Sequence, residues 1–222
     1  MTRTERLERE AGPLSERLAH ALSRISLALR HQAQRGAAAR GLTPTQGEIL
    51  VWLSRHGPST LGEVARGLAI TPATASDAVE ALAAKKLLRK QRGRPDARSL
   101  RLTLTARGQR EAARAATWPG FLAEAAALLP EAEQRLLLAV LIRIVKSLQD
   151  RGQIPPARMC VTCTYFRPFA HAGTARPHHC DLVDAPFGEA YLRVDCPEHQ
   201  PAPEGLAADN WEAWLARSLF PE

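Results

Sequence analysis

Cysteine is absent from the first 159 residues of this 222-residue chain, and long apolar runs are absent throughout. The charged start, Met1 to Arg6, is not followed by the apolar segment of a secretory signal. No run approaches the roughly 20 apolar residues that span a membrane as a helix. We therefore expect a cytoplasmic protein with no membrane partner. In that reducing compartment, clustered cysteines bind metal more often than they form disulfides.

Sequence signatures of catalysis are also missing. The chain has no His-Glu-x-x-His, no Gly-x-Ser-x-Gly and no phosphate-binding glycine loop. These absences remove the most readily recognised metalloprotease, hydrolase and nucleotide-binding sites. We expect a protein that is not an enzyme, and we assign no catalytic residue.

Acidic residues are scarce in the larger part of the chain. Residues 1–150 hold 24 Lys and Arg against 14 Asp and Glu, whereas residues 151–222 hold six against nine. A basic segment beside a mildly acidic one predicts that polyanion binding is confined to the first. The alternative is a solvated basic face without a partner.

Helical patterns begin near the N-terminus. A first helix is predicted over residues 14–34, and its apolar stripe consists of Leu18, Leu22, Ile25 and Leu29. A second helix is predicted from Thr43, because Thr43 can cap it, Pro44 suits its first position and Gln46 can complete a capping box.

Two short helices joined by a tight turn come next. The first holds Val64, Ala65 and Leu68, and the second starts at Thr71-Pro72. Two strands are then predicted over residues 88–91 and 100–104, with a charged hairpin tip between them. This order predicts a winged helix-turn-helix in a mainly α fold with a small β-hairpin wing, an α+β class.

A winged helix-turn-helix predicts contacts with double-stranded DNA. The second helix of the pair would place its N-terminal side chains in a major groove, and these are Thr71, Ala73, Thr74, Ser76 and Asp77. Their small side chains limit base contacts to hydroxyl groups and thymine methyls. The wing is predicted to reach phosphates or a minor groove through Arg92, Arg94 and Arg98, with Lys85, Lys86, Arg89 and Lys90 leading into it.

Helical spacing returns after Thr105. One helix is predicted over residues 106–128, bent or broken near Pro119-Gly120, and another from Pro130 to Leu148. The wide apolar stripe of the last helix predicts packing against another chain, and an ordinary core helix is the alternative.

All four cysteines lie between residues 160 and 196, after a linker at residues 154–156. A Cys-x2-Cys pair is followed by two single cysteines, after intervals of sixteen and fifteen residues. Thiolates are soft ligands, and four of them can enclose zinc or hold an iron–sulfur cluster. We therefore predict a metal site formed by Cys160, Cys163, Cys180 and Cys196.

Zinc is the first choice for this site, because it is redox-silent and can fold a small module outright. An iron–sulfur cluster is the alternative, since Cys196-Pro197 is similar to the end of some ferredoxin motifs, although the other spacings differ. Two disulfides, or one nucleophilic cysteine beside His178 or His179, are further alternatives. A histidine could also replace a thiolate, the candidates being His171, His178, His179 and His199.

These patterns divide the chain into two predicted parts. Residues 1–150 form a winged-helix DNA-binding and dimerisation domain, and residues 151–222 form a small irregular module stapled by metal. The module ends in a short amphipathic helix, predicted from Trp211, Trp214, Leu215 and Leu219.

Several motifs occur together and in order. They are Leu42-Thr43-Pro44-Thr45-Gln46, Leu61-Gly62-Glu63-Val64-Ala65, Thr71-Pro72-Ala73-Thr74-Ala75-Ser76, Leu82-x4-Leu87-Leu88, and Asp96-x-Arg98 with Leu102-x-Leu104-Thr105-x2-Gly108. With them, residues 14–150 resemble the MarR family of bacterial transcriptional regulators. The resemblance covers about 60 % of the chain.

The resemblance implies a homodimer whose interface is formed by the first helix and the last two helices before the tail. It also implies a palindromic operator and, usually, repression. Asp96 would brace the wing, and Arg98 would contact DNA or hold the shape of the wing. The small, uncharged start of the recognition helix leaves the operator sequence open, and the tail after Asp150 departs from the typical family pattern.

Two functions stay open on the sequence. The first is a DNA-binding regulator with a metal-binding tail and an unknown effector. The second is a protein-interaction adaptor, in which the metal module and the terminal Trp helix recruit a partner and the winged helix only mediates contacts.

Overall fold

The chain is mainly helical with two small antiparallel sheets, as seen in a computed structural model that describes residues 2–92 and 100–217. Its contacts divide it into two compact units, Met1–Leu61 with Ala73–Phe121, and Gly62–Pro72 with Leu122–Glu222. The elements confirm the predicted α+β winged-helix class. Within the described ranges, no helix has the length and hydrophobicity needed to cross a bilayer.

The elements up to the wing follow the predicted order. They are α1 (Arg3–Ala11), α2 (Leu14–Ala38), α3 (Pro44–His56), β1 (Ser59–Thr60), α4 (Leu61–Gly67), α5 (Pro72–Ala84), β2 (Leu88–Arg92) and β3 (Leu100–Leu104). Sequence analysis missed α1, whose charged sequence offers no apolar stripe, and β1, which is too short to show a period.

The predicted capping box at the start of α3 is confirmed. The Gln46 amide donates to Thr43 Oγ1 at 3.2 Å, and the Thr43 amide donates to Gln46 Oε1 at 3.3 Å. Both bonds satisfy amides that have no partner inside the helix. The helix then buries Ile49, Leu50 and Leu53 in the core of the first unit.

A glycine slot brings α2 and α3 against the segment that follows α6 (Ala106–Ala115). A Cβ at Gly36 would lie 2.5 Å from Trp118 Nε1, and a Cβ at Gly47 would lie 2.1 Å from Trp118 Cη2. Only the absence of a side chain at these two positions lets the indole fit. The slot fixes α2, α3 and Trp118 as one packed group.

The wing is an antiparallel sheet in the order β1-β3-β2. Leu88 pairs with Leu104, and Ser59 pairs with Leu102. After β3 the Thr105 hydroxyl donates to the Lys86 carbonyl at 2.9 Å and accepts from the Gly108 amide at 3.0 Å, which starts α6. The predicted break near Pro119-Gly120 is also confirmed, since α6 ends at Ala115 and α7 (Gly120–Ala127) starts after it.

The C-terminal elements contain a small sheet that sequence analysis missed. They are α8 (Glu131–Asp150), a 3-10 turn (Cys160–Thr162), β4 (Phe166–Arg167), β5 (His178–Cys180), β6 (Ala185–Phe187), a second 3-10 turn (Glu189–Tyr191) and α9 (Glu204–Leu215). The strands pair antiparallel in the order β4-β5-β6. Strands of two or three residues are too short to show an alternating pattern.

The core of the second unit joins α8 to the cysteine-rich segment. Ala139 and Ile142 of α8 are buried in one cluster with Met159, Phe166 and Trp214. The Asn210 side chain fastens α9 to β4 by donating to the Phe166 carbonyl at 2.9 Å. The contacts therefore place α8 in the same unit as the tail, and the division into independent domains at residue 150 stays a prediction.

Candidate nucleic-acid interface and cysteine site

Helix α5 presents the side chains that were predicted to face DNA. It buries Ala75, Ala78, Val79 and Leu82 in the core. Its N-terminal region leaves Ala73, Thr74 and Asp77 exposed and Ser76 half-buried, and Thr71, just before the helix, is exposed. The small exposed groups lie on the side opposite the buried stripe, because the helical period separates the two faces. The roles of these five residues in DNA binding stay predictions.

The tip of the wing lies outside the described residues, so the predictions for Arg94, Asp96 and Arg98 are not tested. Arg92 ends β2 and its backbone pairs with Leu100. The described part of the hairpin exposes Arg89, Lys90 and Arg101. These three cations give the wing a basic character beside α5, which suits contacts with phosphates.

Hydrogen bonds fix the base of the wing. Lys90 pairs with Glu80 of α5, and the Arg101 guanidinium donates to the Pro58 carbonyl at 2.9 Å. Lys85 was predicted to lead into the wing, but its ammonium group donates to the Gly41 carbonyl at 2.6 Å and to Gln46 Oε1 at 2.8 Å. Lys85 therefore has a structural role that the sequence did not reveal.

The second unit brings all four cysteines to the wall of one cavity of about 260 Å³. Cys160 begins the first 3-10 turn and Cys163 follows it, Cys180 ends β5, and Cys196 comes after the second 3-10 turn. All four are free thiols, so the disulfide alternative is wrong for this structure. The described residues include no group of three or more His, Cys, Asp or Glu side chains arranged around a single ion.

Arg193 is the residue at this cavity that sequence analysis missed. Its amide donates to Cys160 Sγ at 3.3 Å, and its guanidinium lies 3.5 Å from Cys196 Sγ and 3.3 Å from Glu198 Oε2. The Cys196 thiol in turn lies 3.3 Å from Glu198 Oε2. A cation three residues before a predicted ligand was the available signal, because thiolates are stabilised by nearby positive charge.

The pKa of the Cys160 thiol is raised to about 11, chiefly by burial; the other three cysteines contribute to the rise, whereas the Arg193 amide opposes it. Such a thiol becomes a thiolate readily only when a cation compensates its charge. The chemistry of the donor set thus fits a metal-containing group.

The histidines have partners outside the cavity. His178 is fully buried, accepts from the Phe169 amide at Nδ1 and lies 2.9 Å from Glu189 Oε1 through Nε2. Nε2 therefore carries the proton, and Glu189 also accepts from Trp214 Nε1 at 3.2 Å. This chain of bonds links β5 to α9, which gives His178 a structural role.

The other histidines also lie away from the cavity wall. His171 Nε2 lies 3.1 Å from His179 Nδ1 at the surface. His199 Nε2 lies 3.1 Å from Thr162 Oγ1, and burial lowers the pKa of this imidazole. The cavity is thus lined by the four thiols without a histidine.

The family model described as the MarR family matches residues 40–99. No curated protein matches the chain. The matched segment runs from the end of α2 through α5 and β2 to the wing tip, which is the part that carries the predicted DNA contacts.

Several solved structures are also similar to this chain. The Staphylococcus aureus MepR–DNA complex is 24 % identical with a TM-score of 0.51, and the match covers 59 % of this chain and 97 % of that chain. A probable transcriptional regulator from Pseudomonas aeruginosa is 28 % identical, with a TM-score of 0.49 and coverages of 60 % and 99 %. Bordetella bronchiseptica BpsR is 27 % identical, with a TM-score of 0.49 and coverages of 61 % and 98 %.

The MepR likeness shows the fold, and the family match adds the sequence pattern of the winged-helix elements. Nearly the whole of each relative is covered, whereas about two fifths of this chain is not. Residues 40–99, which hold the helix pair and the first strand of the wing, are thus similar in sequence to the MarR family.

Proposed function

We propose that the chain is a transcriptional repressor that binds a palindromic operator as a homodimer and carries a metal or cluster site of four cysteines in its tail. The observation that carries the DNA-binding part is α5. One face of this helix is buried in the core, while its small N-terminal side chains are exposed within the segment that matches the MarR family. Such a helix can enter a major groove without unfolding the domain.

Exposed apolar stripes support the homodimer. Along α2, Leu14, Leu18, Leu22 and Ile25 are between 39 % and 63 % exposed. On α8, Leu136 and Leu137 are also exposed. A second copy is the occupant we propose, since the family resemblance assigns these helices to the dimer interface. Two-fold symmetry would then set two recognition helices one DNA turn apart, about 34 Å.

Charge supports the contact with phosphates. The first 150 residues carry the excess of Lys and Arg, and the described wing adds exposed Arg89, Lys90 and Arg101 beside α5. Phosphate contacts release counterions, so DNA affinity should fall steeply with salt. Arg92, Arg94 and Arg98 extend this basic surface in the proposal, and Asp96 would brace the tip.

Gel shifts on the DNA upstream of the gene for this protein test the proposal, at several stated salt concentrations. We expect the unaltered protein to form one specific complex. The variant with Arg94→Ala and Arg98→Ala should bind this DNA at least about tenfold more weakly, and its affinity should depend less steeply on salt. The matched control is Arg151→Ala with Arg176→Ala, which removes two exposed arginines of the second unit. Full affinity in the wing variant would contradict the wing contacts.

Light scattering at micromolar concentration tests the homodimer. Leu18→Arg places a charge in the α2 stripe and should shift the protein towards a monomer, because a buried unpaired charge is costly at an interface. Val183→Arg is the control, since Val183 is 67 % exposed and lies on the second unit. A monomeric unaltered protein would contradict the dimer.

The adaptor function is the second candidate. Exposed apolar side chains at the cysteine cavity favour it, namely Leu182, Val183 and Tyr191. If the unaltered protein gives no specific complex with DNA at low salt, the adaptor becomes the better hypothesis.

A further inference from the structure

The cysteine cavity offers more space than one bare ion needs, and the exposed side chains of Leu182, Val183 and Tyr191 line part of it. It measures about 260 Å³, and all four thiols of the chain contribute to its wall. One water molecule occupies roughly 30 Å³ in the liquid. A zinc ion lies about 2.3 Å from each thiolate, so four thiolates around one zinc enclose almost no free space.

Among the described residues, no three His, Cys, Asp or Glu side chains are arranged for a single ion. An iron–sulfur cluster differs from zinc in this respect, because its own irons and sulfides separate the thiolates that hold it. The arrangement of the wall therefore matches a group with several metal atoms.

The rest of the wall offers few oxygen ligands, so it suits a group that binds through soft thiolates. Apart from the thiols, the charged lining residues are Arg193 and Glu198, and the others are apolar or aromatic, including Phe166 and Phe187. Hard cations require several oxygen ligands, which this wall does not provide. Besides Arg193 and Glu198, the polar groups of the wall are the Tyr165 and Tyr191 hydroxyls, so the four thiols are its main donors to a metal.

We propose that this cavity binds an iron–sulfur cluster through Cys160, Cys163, Cys180 and Cys196. The proposal rests on the four-cysteine site of the proposed function and names its occupant. The Arg193 amide, 3.3 Å from Cys160 Sγ, and its guanidinium, 3.5 Å from Cys196 Sγ, donate to the cluster thiolates. Hydrogen bonds to cluster sulfurs and the apolar shell set the reduction potential of such a group.

Assembly of the cluster needs no outside oxidant if iron is supplied in both oxidation states. Equal amounts of ferrous and ferric iron, with one sulfide for each iron, give a four-iron cluster without net electron transfer. The four thiols release their protons to the buffer as they bind iron. The full-length protein, prepared without metal and kept free of oxygen, is the material for the test.

The experiment offers this protein zinc chloride in one sample and iron with sulfide in another, then removes unbound metal. We expect the second sample to retain iron and acid-labile sulfide in equal amounts and to show a visible sulfide-to-iron absorption band. Retention of one zinc per chain, with no band after the iron treatment, would overturn the cluster but leave the four-cysteine site standing. Binding of neither would overturn the site as well.

Variants connect the band to the cavity. Cys163→Ser and Cys196→Ser should each lose it, and the second variant guards against misfolding because Cys196 is less buried than Cys163. His179→Ala is the control and should keep the band, since His179 faces His171 and Asp184. An unchanged band after all four cysteines are replaced by serine would overturn the proposal. Gel shifts on the same samples report DNA binding separately, so the two proposals fail independently.

Discussion

Trp118 shows how single residues define the first unit. Its indole occupies the space that side chains at Gly36 and Gly47 would fill. Glycine within a helix costs about 0.5–1 kcal/mol relative to alanine, so these two positions keep glycine at a local cost to helix stability. The close packing of the ring offsets that cost, because a well-filled interior gains many dispersion contacts.

We expect Gly47→Ala to destabilise the protein, although alanine favours helices. The new Cβ would lie 2.1 Å from Trp118 Cη2, and relieving this overlap should lower the free energy of unfolding by about 1–3 kcal/mol. Urea unfolding followed by circular dichroism measures the change. Gly120→Ala is the matched control, since nothing lies within 4 Å of its Cβ position. If Gly47→Ala destabilises the Trp118→Ala variant as much as it destabilises the unaltered protein, contact with Trp118 is not the cause.

At the scale of elements, an ion pair fastens the turn after α2 to α6. The Arg40 guanidinium donates to both carboxylate oxygens of Glu111, at 2.9 Å and 2.6 Å. This hydrogen bonding from Arg40 lowers the pKa of Glu111, and Arg114 lowers it further. Bidentate pairs are the stronger kind of salt bridge, although solvent screens this one because Arg40 is 40 % exposed.

Glu111→Gln should reduce stability at neutral pH by about 1 kcal/mol. A carboxyl whose pKa is lowered by folding stabilises the folded state at pH values above 4.5, its ordinary pKa. This contribution is lost as the pH falls through the lower pKa of the folded state. The difference from the unaltered protein should therefore shrink as pH drops below about 4.5. Urea unfolding at neutral and acidic pH measures it.

The control for this pair is Glu131→Gln, whose carboxylate lies 3.5 Å from Arg135 on the surface of α8. Exposed pairs of this kind contribute only a few tenths of a kcal/mol, so we expect little change at any pH. A stability loss in Glu111→Gln that stays constant from neutral to acidic pH would contradict the ionic origin of the effect.

For the whole molecule, the main feature is that α8 packs in the core of the tail and is also a helix of the proposed dimer interface. By the family resemblance, α8 belongs to the dimerisation helices, and its contacts place Ala139 and Ile142 in the core that also holds Cys163 and Trp214. The tail thus packs on α8. A change in the cysteine site can reach the proposed dimer interface through this one element, without contact with DNA.

Truncation after Asp150 should loosen α8 and leave the first unit folded. The deletion exposes Ile142, which is 1 % exposed in the full chain, and burial of such a side chain contributes about 1.5–3 kcal/mol. Hydrogen exchange measured by mass spectrometry should show faster exchange over residues 131–150. Peptides covering α3 serve as the internal control, since their protection depends on the core of the first unit. Equal protection of α8 in both proteins would contradict the shared core.

Local signals explain which parts of the fold could be predicted from the sequence. The capping box at Thr43, the break at Pro119-Gly120 and the paired strands of the wing depend on neighbouring residues. The order of these elements gave the winged-helix class and the family resemblance. Helix α1 and strands β4 to β6 escaped prediction because they are either uniformly polar or too short to show a period.

The sequence by itself determined the chemistry of the tail, because spacing and residue type place four soft thiol ligands within 37 residues. Only the tertiary structure decided that these thiols lie on the wall of one cavity, with Arg193 beside two of the sulfurs. It also decided that His178 bonds to Glu189 and that α8 shares the core of the tail. These features depend on contacts between residues that are distant in the chain, and local patterns carry no record of them.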